Sequence, residues 1–539
     1  MILRPEGDHA SEEGPRPDDP SPERSLSPAW YALLVMAAAV VSHLPGLDRR
    51  LFDPDEAAIA TLGNVMAHGG VLYRDAIDRK PPLAPLLYAA SFLVTGTRDL
   101  RPLHLLLALG LGGAAPILAA AARRLAGARA GWWAAGLLIA GAIAARPAAG
   151  QAANYSQLAL LPACGAIVAA RRGTLRSAIV GGVLLGLAVL TRQTWILGLA
   201  PAMLAAWMTG ERRPSRPALL ALATGLTVGS IAVLVPFGAF FRWTFTSNTS
   251  VLEVSQSVHV TGRAWASISL FLVGHLAIVW LAARRGLRMC DIDLWLWVAA
   301  GIVSVCVGLR FFDHYWFQVL PPLCLLAALG IARTRHPERV LLVVVVAWSA
   351  ISGWDAAWTT RAFTHDWSPL ISVIRADTGP NDRITVWGSV PELYWLSGRP
   401  PGGGMVITDF VVGRTAGRPD GPQRLADATP GALDDYLASL YRSPPKLFLD
   451  TSTAGIRNYS HYPTALVPPV AAFLRRYYRE VGTTQRVAVY LLQRRPPSTA
   501  PHNPSHAPHR PTPAARASIS SWSIARASEP FGGMTSRRA

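Results

Sequence analysis

Charge is scarce in this chain. Only 16% of its 539 residues are Asp, Glu, Lys or Arg, where an ordinary soluble protein carries about 25%. Hydrophobic residues make up 51%. A typical soluble enzyme and a wholly disordered chain are both excluded. Lysine is nearly missing: Lys80 and Lys446 stand alone, and the other 49 of the 51 basic residues are arginine. Cysteine is rare too. Cys164, Cys290, Cys306 and Cys324 all fall in apolar runs, and no CxxC pair offers metal or redox chemistry. They read as small buried side chains. There is no nucleotide-binding fingerprint and no internal repeat. The net charge of +18 comes from short basic clusters between apolar runs. These read as membrane topology markers, and no nucleic-acid partner is expected.

What is present is a series of apolar runs. Residues 1–28 precede it, rich in Pro, Ser, Asp and Glu, and are expected to be a disordered cytoplasmic tail. Ala29–Leu47 is the first run. No small-residue cleavage site follows and further runs lie downstream, so it reads as a transmembrane helix rather than a signal peptide. Fifteen arginines fall in five clusters, at Arg123/Arg124/Arg129, Arg171/Arg172/Arg176, Arg212/Arg213/Arg216, Arg284/Arg285/Arg288 and Arg333/Arg335/Arg339. The alternating short loops carry only Arg146, Arg192, Arg242, Arg263 and Arg310. The positive-inside rule places the first set in the cytoplasm and the second outside. Pro81–Gly96 has 16 residues, short of the roughly 20 a span needs. It is expected to lie on the outer face, within one external loop of residues 48–101 that holds two interfacial helices. Eleven spans are then predicted, starting near residues 29, 102, 131, 153, 177, 194, 217, 264, 291, 316 and 339.

These spans form a transmembrane domain over residues 29–361, and the odd count puts the C-terminus outside. Residues 362–494 change character. Arg383–Trp387, Lys446–Asp450 and Val487–Leu492 read as buried strands, separated by helical patterns at Pro430–Tyr441 and Thr464–Tyr478. That alternation predicts a small α/β domain. Residues 495–539, mostly Pro, Ser, Ala, His and Arg, are expected to be disordered.

The first outer loop carries the chemistry. Asp53 is a good N-cap, Pro54 suits the first helical position, and Glu56 completes a capping box. Ala58, Ile59, Leu62, Val65 and Met66 follow at helical spacing. Capping alone explains Asp53 and Glu56 but leaves Asp55 without a structural task. A carboxylate there, beside a membrane surface, is suited to taking a proton from a hydroxyl. Asp53, Asp55 and Glu56 together also offer a place for a hard cation, Mg²⁺ or Mn²⁺, although no metal cluster stands out. Further on, Arg79 and Lys80 end a polar stretch where the apolar helix begins. A lipid phosphate lies at that depth, and Lys80 suits it as a point charge. Snorkelling is the plain alternative.

Two more polar groups fall on the same side. Arg192-Gln193 forms an external hinge between apolar runs. His314 and Gln318 are spaced i, i+4 in RFFDHYWFQ and face one cavity if that stretch is helical. Phe311, Phe312, Tyr315 and Trp316 also fit an interfacial aromatic belt.

PDEAAIATLGNVMAHGGVLYRDAIDRKPPLAPLLYAASFLVTG resembles the first outer loop of polyprenyl-phosphate-dependent GT-C glycosyltransferases. It is most like family 39, the dolichyl-phosphate-mannose–protein mannosyltransferase-like group, with bacterial aminoarabinose transferases as cousins. RFFDHYWFQVLPPLCLLAALG resembles the family's later HY…Q..P segment, and RITVWGSVPELYWLSGRP the opening of its soluble domain. The resemblance runs, with gaps, from about residue 29 to 494. It implies a multi-pass α-helical fold with its catalytic loop and C-terminal domain outside the plasma (inner) membrane. It implies inverting transfer of a mannose- or pentose-like sugar from a polyprenyl-phosphate donor to a lipid, glycan or protein acceptor. Carried over, Asp55 is the base or acceptor-orienting group and Lys80 sits near the donor phosphate. Glu56, Tyr73, Asp75, Arg79, Arg192, Gln193, His314, Tyr315 and Gln318 are expected to bind substrate. One departure stands out: many relatives have an acid after the Asn where this chain reads Asn154-Tyr155-Ser156-Gln157. Gln157 or Ser156 must then replace that acid by hydrogen bonding, or activity is altered. A transporter or lipid flippase with an external accessory domain is the alternative, but its mid-span charges and repeat symmetry are not evident. A third reading is an interaction protein whose outer domain binds a partner.

Overall fold

Helices fill the apolar runs, and several end where Gly or Arg follows, as at Gly96, Arg171, Arg192 and Gly286. The computed structural model describes residues 28–47, 51–144, 150–209, 214–247, 258–331, 339, 365–414 and 428–499. Helix α1 is Pro28–Leu47, α2 Pro54–Ala67, α3 Leu83–Thr95 and α4 Arg101–Ala144. Then follow α5 Leu160–Ala170, α6 Leu175–Thr191, α7 Leu199–Met208 and α8 Ser215–Ser230. The helical part closes with α9 Val258–Gly274, α10 Leu276–Arg285, α11 Ile292–Cys306 and α12 Leu320–Ile331. Nine of the first ten expected starts fall within seven residues of one of these helix starts, residue 131 lies inside α4, and α2, α3 and α10 begin elsewhere. The eleventh start, near residue 339, falls almost wholly outside the described residues.

Helix α4 holds two of the expected spans. Its axis breaks at Ala126 and Gly127, beside the Arg123 cluster. Gly127 has φ +84°, a conformation open to glycine and strained for other residues. Among the described residues, three helices are long and apolar enough to cross a membrane alone: Arg101–Ala144, Ser215–Val233 and Met289–Cys306. Helices α9 and α10, bent by 79° at the break between them, make a fourth as a broken span. Length alone therefore does not carry the count of eleven. The remaining apolar stretches, Ala29–Leu44 within α1 among them, run 10–17 residues. At the break between α9 and α10, both ring nitrogens of the buried His275 lie 3.0 Å from carbonyl oxygens, those of Phe271 and Gly141.

One expectation needs correction. Cys164 and Cys324 are buried, but Cys290 and Cys306 are exposed. In a membrane protein an apolar run has lipid as well as protein to face, so apolarity does not imply burial within the chain.

The C-terminal part is a four-stranded mixed sheet with helices packed on it. Helix α13, Ser368–Asp377, leads into β1, Ile384–Trp387, and α14, Glu392–Ser397. Helix α15, Ala432–Arg442, precedes β2, Leu447–Asp450. Helix α16, Pro468–Tyr477, runs directly into β3, Tyr478–Thr484, which returns as β4, Val487–Leu492. The order is β1-β2-β4-β3. β1 and β2 are parallel, and β4 is antiparallel to both its neighbours. Three strands coincide with the predicted runs to within a residue. β3 was not legible: only Tyr478 in it is buried, and a bulge at Glu480/Gly482 breaks its register. An edge strand with water on both faces carries no alternating pattern.

The loop between α1 and α4 is built into both halves. Helix α3, 13 residues, reaches only about 20 Å at 1.5 Å per residue, against a hydrocarbon core of about 30 Å. Its tip, Leu93 and Val94, is 66% and 87% exposed, as an interfacial helix requires. Helix α2 is different. It is buried on most of its circumference, from Glu56 through Val65. Leu62, Val65, Leu72, Tyr73, Ala76 and Ile77 belong to the same apolar core as the sheet residues Val386, Phe448 and Val489. Helix α2 is thus wedged between the helical body and the α/β domain rather than resting on a membrane surface.

Candidate active site

Asp53 caps α2 as expected, its Oδ1 accepting from the Glu56 N–H at 2.7 Å. Asp55 follows in the first turn, where the helix N-terminus favours negative charge. Its side chain is 46% exposed. His314 Nε2 lies 3.9 Å from Asp55 Oδ2. Burial acts to raise the Asp55 carboxyl, but the cations Lys80, Arg310 and Arg192 outweigh it and hold the group below its ordinary range. Asp55 is ionised at neutral pH.

The cations are fixed in turn. Lys80 Nζ lies 4.4 Å from the centre of the Tyr155 ring. The buried Arg192 stacks its guanidinium on the Tyr315 ring at 3.8 Å. It donates to the hydroxyls of Ser156 and Thr194, the latter at 3.1 Å. Thr194 Oγ1 donates to Gln318 Oε1 at 2.9 Å, and Gln193 Nε2 to the Arg79 carbonyl at 3.2 Å. Burial drives the His314 imidazole down to about 3, with Asp55 opposing and Arg192 and Lys80 reinforcing. His314 is neutral at pH 7. For Tyr315, burial acts to raise the phenol, and Arg192, Arg310 and Lys80 outweigh it.

Asp55, Lys80, Arg192, His314 and Tyr315 therefore converge, with Gln193 and Gln318 behind them. Four expected ligands do not join them, and each has a structural task. Glu56 is 0% exposed. Its Oε2 accepts from the Phe52 N–H at 2.8 Å and its Oε1 from the Ala153 N–H at 3.0 Å, with His104 Nε2 at 2.7 Å. It reaches back one residue beyond the expected capping box and ties α2 to α4. Tyr73 is buried with φ +67° and donates its hydroxyl to the Lys80 carbonyl at 2.8 Å. Asp75 accepts from the Val71 N–H at 2.8 Å and pairs with Arg74 at 2.8 Å, closing the turn before Lys80. Arg79 is 7% exposed and points into the α/β domain. Both Glu56 oxygens are thus engaged within the protein. Among the described residues no group of three metal-ligating side chains is assembled.

No protein-family model matches this chain, and no curated protein matches it in sequence. Among solved structures, the crystal structure of ArnT from Cupriavidus metallidurans in the apo state aligns at TM-score 0.54 and 16% identity. The alignment covers 86% of this chain and 98% of that one. The fold is the one seen in ArnT. It is a mostly helical fold with several apolar spans and a small C-terminal mixed sheet. The archaeal oligosaccharyltransferase AglB from Archaeoglobus fulgidus, solved with an inhibitory peptide and a dolichol-phosphate, aligns at TM-score 0.46 and 13% identity. That alignment covers 87% of this chain and 75% of that one.

Sequence reasoning missed three contributors, Arg310, Asp78 and Tyr155. Arg310 bears on both Asp55 and Tyr315. It sits between two left-handed residues, Leu309 and Phe311, each at φ +50°. Such a bend is strained for non-glycine residues and no pattern announces it. Asp78 accepts from the Tyr155 hydroxyl at 2.8 Å and from the Arg79 N–H at 2.6 Å, fixing the loop just before Lys80. Ser156 and Tyr155 carry the contribution of the segment that lacks an acid. Asn154 caps it by accepting from the Ser156 N–H at 2.9 Å.

Proposed function

We propose that this protein is an inverting glycosyltransferase that moves a sugar from a polyprenyl-phosphate carrier to an acceptor hydroxyl at the outer face of the plasma membrane. The observation that carries this reading is the placement of one ionised carboxylate, Asp55, in the field of Lys80, Arg192 and Arg310. Asp55 takes the proton of the acceptor hydroxyl as its oxygen attacks the anomeric carbon. The bond from that carbon to the phosphate oxygen breaks, and the phosphate leaves with the electron pair. Lys80, Arg192 and Arg310 stabilise the charge that develops on it. A single displacement inverts the anomeric centre.

The low basicity of Asp55 without donor fits this sequence of events. A bound phosphate offsets the same cations that depress the carboxylate, so donor binding restores its basicity. His314, neutral beside Asp55, offers a hydrogen bond to the acceptor or carboxylate without adding charge. The fold shared with ArnT and the motifs of the outer loop support the same reading.

The test is turnover by the purified protein in detergent, supplied with polyprenyl-phosphate-linked mannose or pentose and an acceptor. Mass spectrometry of glycans and glycolipids from a deletion strain identifies the sugar and the acceptor. Deletion with an unchanged glycan profile, and no turnover in vitro, would sink the proposal.

A further inference from the structure

Arg79 and Lys80 are neighbours in sequence but turn toward different halves of the molecule. Lys80 extends over Tyr155 of the helical body. The Arg79 guanidinium lies 4.6 Å from the centre of the Phe410 ring in the α/β domain. The Asp409 carboxylate attracts it there. Phe410 is itself buried, packed against Trp243 with ring centres 5.8 Å apart. A cation held on an aromatic face away from water has a firm and directional seat.

The backbone of the loop is held from the same side. The Ile77 N–H donates to the Gly404 carbonyl at 2.7 Å, and Ile77 pairs with Met405 as an isolated parallel bridge. Gly404 has φ +71°, and a Cβ there would come within 3.1 Å of the Arg74 carbonyl. The close approach of the two segments depends on that glycine. The helical body holds the opposite side through Gln193 on the Arg79 carbonyl, and within the loop Tyr73 holds the Lys80 carbonyl. The segment bearing Lys80 is thus clamped between two domains.

We propose that the α/β domain is a working part of the donor site, in which Phe410, Asp409 and Gly404 are positioning residues that hold Arg79 and thereby set the reach of Lys80 to the donor phosphate. This rests on the donor reading above. It assigns Arg79 a positioning role rather than a place among the phosphate ligands. A shift of about 1 Å in a positioned group is worth on the order of 10²-fold in rate, so a loosened clamp is measurable without unfolding.

The experiment measures binding of a long-chain polyprenyl monophosphate to the full-length protein in detergent. The variants are Phe410→Leu, Arg79→Met, the double variant, and Phe410→Tyr, which keeps the ring. Thermal melting is followed alongside, and binding is measured well below each melting point. The expected result is that Phe410→Leu and Arg79→Met each weaken binding roughly tenfold, in keeping with a clamp that acts at one remove. The double variant should be no weaker than the worse single, because both act through one contact, and Phe410→Tyr should retain most of the binding. If Phe410→Leu does not fold, Arg79→Met and Gly404→Ala are compared instead, with the same losses expected. Wild-type binding together with unchanged binding in the folded variants overturns the inference and leaves the donor reading intact. So do losses that simply add in the double variant. A wild-type protein that does not bind the polyprenyl phosphate overturns the donor reading, and the inference with it.

Discussion

His314 Nε2 stands 3.9 Å from Asp55 Oδ2, and the histidine is neutral. The two groups come from α2 and from the turn before α12, far apart in sequence. Their meeting gives the cleft one fixed negative charge among cations. Asp55→Asn keeps the size of the side chain but removes its ability to take a proton. Turnover is expected to fall by 10²-fold or more, on the order of a lost general base. The melting temperature should barely move, because Asp53 still caps α2. Undiminished turnover in the purified variant rules out the base assignment.

Lys80→Ala should reduce turnover on the order of 10²-fold, as the loss of one transition-state donor does. The effect should lie on the donor side, in kcat and donor KM, with acceptor KM unchanged. Lys80→Arg should retain part of the activity, since charge survives and geometry changes. Arg310→Gln should act in the same direction. Steady-state kinetics with donor and acceptor varied separately checks all three, and unaltered donor kinetics in Lys80→Ala would reduce the lysine to an interfacial anchor.

Glu56 should behave in the opposite way to Asp55. Its carboxylate is sealed among the Phe52 and Ala153 N–H groups and His104. Glu56→Ala leaves those donors without an acceptor, and breaking such a buried arrangement costs about 3–5 kcal/mol. The melting temperature should drop sharply. A Glu56→Ala protein as stable as the wild type would contradict the pinning role.

Acid should destabilise the protein through His314. Folding lowers its pKa from 6.5 to about 3 because the ring is buried. Between those values the unfolded chain binds a proton that the folded one does not, so stability falls as pH drops through that window. The depressed Asp55 acts in the same direction, losing its contribution only as pH falls below the ordinary carboxylate range. His314→Gln should flatten the pH dependence of the melting temperature between pH 6.5 and 4. An unchanged slope places the acid sensitivity elsewhere.

Orientation is open to a direct test. Cys290 is exposed next to the Arg284/Arg285/Arg288 cluster, and Ser372 lies on the exposed face of α13. A membrane-impermeant thiol reagent added outside intact cells should label Ser372→Cys and spare Cys290. Labelling of Cys290 alone reverses the topology and moves the catalytic loop to the other side; labelling of both puts the two sites on one side and overturns the alternation of the arginine clusters.

Local chemistry made much of this protein legible in advance. Apolar runs marked the helices, because a chain crossing lipid must satisfy its backbone within each segment. Asp53 and Pro54 marked the start of α2, since caps are local. Three strands stood out because each is short, apolar and buried. Asp55 was singled out because capping left it without a task. The division of labour among its neighbours was not visible. Glu56 and Asp55 are adjacent acids in one helical turn, yet one is sealed against α4 and the other opens to the cleft. That difference lies in what packs on each face, as do the roles of Arg79 and Lys80. The strained bend that presents Arg310, and the meeting of Phe410 with Arg79, join segments hundreds of residues apart. Side-chain spacing reports which groups share a face, but only the packing of the α/β domain on the outer loop decides which of those faces meets water, lipid or another cation.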